Sequence, residues 1–221
     1  ALKGDPKTGK THFACTLPEP IVIYSFDRGA AIVRAKFPQK DITIKEFIPP
    51  ILASTKPIEE EAKLVDAFEA EYCADLEEGK YRTIVLDPAS MLWELVWHSQ
   101  QYDTGDARLI ARKYAEPNAR MSSFIMRPIM GGINLVLIHY TKEIYQDDKP
   151  TGTYKLDGFR RTEGIADVVL EMTRVPLVSA KEKNKAKIVA KITASRFGLD
   201  TEGLTLDNPT YDDLITVLGV E

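Results

Sequence analysis

The segment Gly4–Thr11 (GDPKTGKT) restricts the possible folds of this chain more than any other segment. It contains every fixed position of the phosphate-binding motif G-x-x-x-x-G-K-T. The two glycines allow the backbone to curl and to point its N–H groups at phosphate oxygens. Lys10 brings a positive charge to the β- and γ-phosphates, and the hydroxyl of Thr11 can bind Mg²⁺. The alternative is an ordinary lysine-containing turn before a helix. We interpret the segment as a nucleotide-binding site.

The nucleotide site predicted from this motif also includes the residue that follows it. Its binding residues are Gly4, Asp5, Pro6, Lys7, Thr8, Gly9, Lys10, Thr11 and His12. A helix predicted over residues 10–17 adds the positive end of its dipole near the phosphates. Such a motif normally follows a buried strand, and only Ala1-Leu2-Lys3 precede it here. We therefore expect the first strand to be truncated.

The order of apolar patterns along the chain favours an α/β fold. Short buried runs alternate with helical periodicity, which is typical of a mostly parallel sheet flanked by crossover helices. The predicted strands cover residues 21–26, 41–47, 82–86, 133–139, 167–173 and 187–194, and the last two form a C-terminal antiparallel pair. The predicted helices cover residues 10–17, 58–78, 90–101, about 107–130 and 209–218. Residues 140–163 are predicted to be a long polar loop.

Length and composition suit a single domain over residues 1–221. The chain is 44% hydrophobic and 28% charged, with a formal net charge of −4, which is ordinary for a globular protein. No apolar run reaches the ~18 residues that span a bilayer, so we expect no membrane segment. Cys15 and Cys73 are too few for a disulfide framework or a metal knuckle. These features predict a cytoplasmic protein.

A second candidate phosphate-site element is the apolar run Arg82–Asp87 (RTIVLD), which ends in an acid. A strand of this kind delivers its carboxylate to the edge of the sheet where α/β proteins bind ligands. Asp87 would hold Mg²⁺ there, directly or through water, together with Thr11.

These motifs and their order resemble the RecA-like branch of P-loop NTPases. More narrowly, they are similar to the compact AAA/RecA-type ATPases of bacteriophages that act in recombination and single-strand annealing. The resemblance covers nearly the whole chain, and the phosphate loop is its most specific element. It implies a Mg²⁺-dependent ATP hydrolase with ATP and Mg²⁺ as cofactors, in the host cytoplasm if phage-encoded. The catalytic residues that it implies are Lys10, Asp27, Asp87, His139 and Arg196, and the implied metal ligands are Thr11 and Asp87.

Three of these residues take their roles from the resemblance. Asp27 occupies the place of the acid that polarises the attacking water, although the family often has Glu there. The alternative for Asp27 is that its carboxylate caps the turn at Gly29. His139 ends a strand, as the polar residue that senses the γ-phosphate does, although a lone histidine there is as often a satisfied surface residue.

Arg196 resembles the arginine that reaches a neighbouring subunit's γ-phosphate in hexameric helicases. This chain has Ala194 where the helicase pattern has lysine, with Lys191 or Lys187 as substitutes. If Arg196 acts in this way, the active form is a homo-oligomeric ring or filament.

The resemblance also implies two mobile DNA-binding loops, at about residues 102–120 and 140–163. The predicted DNA-binding residues are Arg108, Arg112, Lys113, Arg120, Lys142, Lys155, Arg160 and Arg161. The second loop has as many acidic as basic residues, and solvated helix faces account for basic runs equally well.

The leading hypothesis is an ATPase that assembles on single-stranded DNA. A second hypothesis is a regulatory ATPase with a protein partner, which docks on the acidic helix at 59–78, where nine acids accompany one lysine. A small-molecule kinase is the third.

Overall fold

Short runs of aliphatic and aromatic residues form the strands, and every residue of the runs Ile21–Ser25 and Thr83–Asp87 is buried. The computed structural model describes residues 1–50, 57–100, 114–177 and 186–220. These residues fall into two units, of which unit 1 comprises Ala1–Leu17 and Leu137–Glu221, and unit 2 comprises Pro18–Val136. The predicted α/β fold is confirmed, with a mostly parallel sheet and flanking helices.

Unit 1 contains the phosphate loop. Its strands are β1 (Leu2–Lys3), the end of β5 (Asn134–His139), β6 (Thr141–Gln146), β7 (Lys149–Leu156), β8 (Val168–Pro176), β9 (Ala186–Ser195) and β10 (Thr205–Asp207). Its helices are α1 (Lys10–Ala14), α6 (Thr162–Ile165), a 3-10 turn at Leu199–Thr201 and α7 (Tyr211–Leu218). β1 runs parallel to both β5 and β8, while β8, β9 and β10 are antiparallel, so the predicted antiparallel pair is confirmed.

Unit 2 contains three parallel strands in the order β4-β2-β3. These strands are β2 (Ile21–Ser25), β3 (Ile42–Glu46) and β4 (Thr83–Asp87). Its helices are α2 (Gly29–Arg34), α3 (Pro57–Glu78), α4 (Ala89–Ser99) and α5 (Ala115–Met130). Residues 107–113, predicted as the start of the last of these helices, lie outside the described residues. Among the described helices, none is long and apolar enough to cross a membrane.

The prediction of a long polar loop at residues 140–163 was wrong, because β6 and β7 form an antiparallel hairpin there. Asp147 and Asp148 make the turn, both with positive φ angles of 50° and 58°. Two-residue turns of this handedness match the twist of the strands that they join, and aspartate tolerates the conformation better than most residues. The helix predicted over residues 10–17 is also shorter, and ends at Ala14.

An aromatic cluster forms the core of unit 2 around Phe68. The apolar spacing of α3 buries Phe68 and Tyr72 against Tyr24 of β2 and Phe124 of α5. The Phe68 ring centroid lies 5.3 Å from that of Tyr24 and 5.1 Å from that of Phe124, in edge-to-face arrangements. Such pairs add stabilisation beyond the burial of their area.

The acids of α3 are largely paired within unit 2. Asp75 is buried and accepts hydrogen bonds from the Tyr24 hydroxyl and from Lys45 Nζ, the latter at 2.7 Å. Asp66 and Glu69 each lie 2.6 Å from the guanidinium of Arg120. The helix therefore uses much of its negative charge to hold neighbouring strands and helices in place.

Replacing Phe68 with alanine should destabilise unit 2 strongly, because it removes the buried ring that contacts Tyr24, Tyr72 and Phe124. We expect a loss of about 3–5 kcal/mol in the free energy of unfolding, measured by urea denaturation. Ile32→Ala is the matched control, since Ile32 is 75% exposed on α2, and it should change stability by about 0.5 kcal/mol or less. Equal effects of the two substitutions would contradict the prediction.

Candidate functional site

The phosphate loop has a backbone that requires glycine at both fixed positions. Gly4 has a φ of 150°, and a Cβ atom there would lie 2.2 Å from the carbonyl oxygen of Met172 on β8. Gly9 has a φ of 83°, and its Cβ atom would lie 3.2 Å from Ile188 on β9. The left-handed conformation and the close neighbours exclude other side chains. The motif therefore forms a tight loop between β1 and α1, as the sequence predicts.

Lys10 lies inside this loop and is only 5% exposed. Its Nζ atom donates hydrogen bonds to the carbonyl oxygens of Gly4 at 2.7 Å and Asp5 at 2.6 Å. The same atom lies 5.5 Å from the ring centroid of Tyr140. Carbonyl oxygens are neutral acceptors, so a phosphate anion is the stronger partner for the ammonium. The loop is thus arranged to exchange its own carbonyls for phosphate oxygens.

The hairpin of β6 and β7 is joined to the phosphate loop at its base. Thr141 Oγ1 donates a hydrogen bond to Asp5 Oδ1 at 2.9 Å, and Lys142 forms an ion pair with Asp157. Asp5 thus contacts Lys10 through its carbonyl oxygen and Thr141 through its carboxylate. Asp5 therefore links Lys10 of the loop to Thr141 of the hairpin.

His139 is fully buried at the end of β5, and its ring is fixed by the segment after β7. Its Nδ1 atom lies 3.0 Å from the carbonyl oxygen of Asp157. Because a carbonyl only accepts, Nδ1 carries the proton in this contact. Burial lowers the pKa of His139 from its usual 6.5 to about 4, so the ring is neutral near neutral pH. In this tautomer Nε2 is a hydrogen-bond acceptor, whereas a residue that senses the γ-phosphate has to donate a hydrogen bond to a phosphate oxygen.

The two predicted acids of unit 2 follow neighbouring parallel strands. Asp87 ends β4, is buried, and is paired in register with Ser25 at the end of β2. Asp27 lies two residues beyond β2, is exposed, and accepts a hydrogen bond from the Gly29 backbone N–H at 2.8 Å. The capping alternative for Asp27 is therefore present in this structure. A carboxylate has further lone pairs, so this bond does not prevent it from holding a water molecule.

Most of the other predicted site residues lie on the surface of unit 1. Pro6, Lys7 and His12 are exposed, while Thr8 is buried and donates a hydrogen bond to the Asp5 carbonyl oxygen at 2.8 Å. Thr11 is half-buried on α1.

Arg196 is exposed beyond β9, and it donates hydrogen bonds to Asp167 at 3.1 Å and to the Gly164 carbonyl oxygen at 2.9 Å. Lys155, Arg160 and Arg161 are also exposed.

Of the four predicted DNA-binding residues of the first loop, the structure describes Arg120. Arg108, Arg112 and Lys113 lie outside the described residues. Arg120 is held between Asp66 and Glu69, and both ion pairs would have to break before it could contact a phosphate. Sequence reasoning could not find these pairs, because their partners are about fifty residues away.

Sequence reasoning also missed Tyr140 and Thr141, which contact the phosphate loop directly. Their position immediately after His139 was the available signal, since residues that follow parallel strands gather at the ligand-binding edge.

The donor set fits Mg²⁺ by type. Thr11 of unit 1 has a hydroxyl oxygen and Asp87 of unit 2 a carboxylate oxygen, and each by itself is a hard ligand of the type that this cation prefers. Among the described residues, no group of three or more histidine, cysteine or acidic side chains could hold a metal ion by itself. A cation shared with substrate phosphates needs only one or two protein ligands, and so fits this chain.

A family model described as an AAA domain matches residues 1–194. The match includes the phosphate loop, Asp27, Asp87, His139 and the hairpin, and covers most of the chain. A comparison with curated proteins finds no match to the chain.

Because His139 is buried, its protonation should oppose folding in mild acid. The lowered pKa means that the unfolded chain binds more protons than the folded chain between about pH 6.5 and pH 4, so stability falls as pH falls through this window. We expect the wild type to lose about 2 kcal/mol more than His139→Gln when the pH drops from about 7 to about 4.5. Urea denaturation at both pH values measures this difference. His98→Gln should behave like the wild type, and a matching loss in His139→Gln would contradict the assignment.

Proposed function

The chain belongs to the AAA domain family, and from this premise we propose that it is a Mg²⁺-dependent ATPase that acts on single-stranded DNA. The proposed setting is recombination or single-strand annealing of the bacteriophage type, with a RecA-like homo-oligomer as the active form. The observation that carries the DNA part is the hairpin of β6 and β7, which is anchored on the phosphate loop through Thr141 and Asp5.

Hydrolysis would proceed by in-line attack of water on the γ-phosphate. Lys10 would leave the carbonyl oxygens of Gly4 and Asp5 to bind the phosphates, where its charge offsets the negative charge of the transition state. Thr11 and Asp87 would hold Mg²⁺, which supplies further charge neutralisation when bound. Asp27 would orient the attacking water. These groups act mainly by positioning, because phosphoryl transfer needs little covalent chemistry from the protein.

The hairpin has side chains suited to a single strand of nucleic acid. Tyr145 is 63% exposed and Tyr154 is 54% exposed. Rings that are this exposed bury little area and so contribute little to the stability of the fold. Exposed aromatic rings stack on bases regardless of sequence, and Lys149 and Lys155 lie on the same hairpin to contact phosphates. The hairpin as a whole has no net charge, since its acids equal its lysines in number. Stacking would therefore contribute more than long-range attraction.

The proposed oligomer gives Arg196 its role. The side chain is exposed, and its ion pair with Asp167 is a surface pair of the kind that contributes ~1 kcal/mol or less. Arg196 could therefore leave Asp167 for the γ-phosphate of a neighbouring subunit at little cost.

The competing proposal of a protein partner on the acidic helix has less support. Asp66, Glu69, Glu71 and Asp75 of α3 already pair with Arg120 or Lys45 inside unit 2. A docking surface built on these acids would first have to break contacts that hold the unit together.

ATP hydrolysis with and without single-stranded DNA tests the proposal directly. We expect DNA to stimulate ATP turnover and Lys10→Ala to abolish it. The stimulation should fall as the salt concentration rises, because phosphate contacts between protein and DNA release counterions. Lys10→Ala serves as the blank, and Ile32→Ala should match the wild type. Turnover that ignores DNA would overturn the DNA role and direct the search to a protein partner.

Removing both hairpin tyrosines should separate DNA binding from catalysis. We expect Tyr145→Ala/Tyr154→Ala to weaken binding of a fluorescent oligonucleotide by about 30-fold or more, because it removes two rings and each stacked base contributes ~1–3 kcal/mol. DNA-free ATP turnover should stay unchanged. Phe197→Ala removes an aromatic ring that is 46% exposed and lies outside the hairpin, and it is the control. Unchanged affinity in the double variant would show that the hairpin does not bind DNA.

A further inference from the structure

Ser25 is a buried hydroxyl at the carboxyl end of β2. Its exposure is 0%, and its Oγ atom has no hydrogen-bond partner among the described residues. Two other buried hydroxyls bond to backbone carbonyls: Thr83 Oγ1 donates to Pro18 at 2.7 Å, and Ser99 Oγ donates to Val96 at 2.9 Å. A buried polar group without a partner destabilises the fold. The four residues before Ser25 in β2 are apolar or aromatic, so packing alone does not call for a hydroxyl here.

The register of the sheet places Ser25 beside Asp87. The two residues are partners in the parallel pairing of β2 and β4, and both end their strands. Paired residues on neighbouring strands project from the same face of a sheet, about 4.8 Å apart. Ser122 and Thr162 are the other buried hydroxyls without a partner among the described residues, but neither ends a parallel strand. Ser25 is thus distinguished by its carboxylate neighbour.

We propose that Ser25 is a positioning residue for the bound Mg²⁺–nucleotide. Its hydroxyl hydrogen-bonds a water molecule that the Asp87 carboxylate also holds, and this water completes the coordination of the cation that Asp87 binds. The inference rests on the proposed function and adds a residue to that same site. It explains why a hydroxyl is buried without a protein partner: the partner arrives with the ligand.

The register also provides a matched control. Glu46 ends β3 and is paired with Ser25 on the side of β2 opposite to Asp87. It is an acid in the same row of the sheet, but it is exposed. If any change of charge at this edge of the sheet lowers the affinity for the nucleotide, Glu46→Gln will lower it too. If the effect belongs to the Ser25–Asp87 pair, Glu46→Gln will leave the affinity unchanged.

The experiment compares the binding of a fluorescent ATP analogue with Mg²⁺ and with EDTA, without measuring hydrolysis. We expect Ser25→Ala to bind as the wild type does in EDTA, and to lose about tenfold of the affinity gained with Mg²⁺, the effect of about one hydrogen bond. Ser25→Thr should show the full increase in affinity with Mg²⁺, because it keeps a hydroxyl at this position. Glu46→Gln should also show the full increase.

Thermal unfolding without ligand gives a second measurement. Ser25→Ala should leave the midpoint unchanged or raise it, because it removes a buried hydroxyl that lacks a partner. A lowered midpoint would show that the hydroxyl is structural and would overturn the inference.

If Mg²⁺ increases the affinity of Ser25→Ala as much as that of the wild type, the role of Ser25 is overturned while the proposed function stands. A wild-type chain that binds no nucleotide would overturn the proposed function, and this inference with it.

Discussion

The buried ammonium of Lys10 is the interaction on which the candidate site depends. A charge that is 5% exposed is stable only when polar atoms surround it, and here two backbone carbonyls and the Thr8 hydroxyl do so. These acceptors belong to the loop that would bind phosphate. The loop therefore wraps around the ammonium group of Lys10. A nucleotide would bind by replacing the neutral carbonyl acceptors of this group with charged phosphate oxygens. Binding and rearrangement of the loop are then the same event.

Asp5 carries this rearrangement toward the hairpin. Its carbonyl oxygen accepts from Lys10, and its carboxylate accepts from Thr141 at the start of β6. Phosphate that draws Lys10 away would release the carbonyl while the carboxylate stays bonded, so a shift of Asp5 would reach Thr141 directly. Tyr140, whose ring faces Lys10, gives a second contact between the same two segments. Such a short path could link nucleotide state to the hairpin without moving the β-sheet.

Sequence patterns predicted the elements whose apolar residues are buried, and they failed where the outcome depended on distant partners. The strand predicted over residues 21–26 and the helix predicted over residues 58–78 were both confirmed, since their apolar residues can all be buried at once only in those conformations. The hairpin was missed because its strands are polar on both faces, leaving the Asp147–Asp148 turn as the main signal. Arg120 looked free because Asp66 and Glu69 meet it only in the folded unit.

Asp27 and Asp87 differ in burial although both lie at the carboxyl ends of parallel strands. Asp87 is the last residue of β4 and is buried beside Ser25, whereas Asp27 lies beyond β2, is exposed and accepts a hydrogen bond from the Gly29 N–H. A buried carboxylate has a fixed position, which suits a cation ligand. An exposed carboxylate orients water poorly while bulk solvent competes for it. In the proposed oligomer a neighbouring subunit would cover Asp27, as it would engage the exposed Arg196. Assembly, rather than folding, would then complete the hydrolytic site.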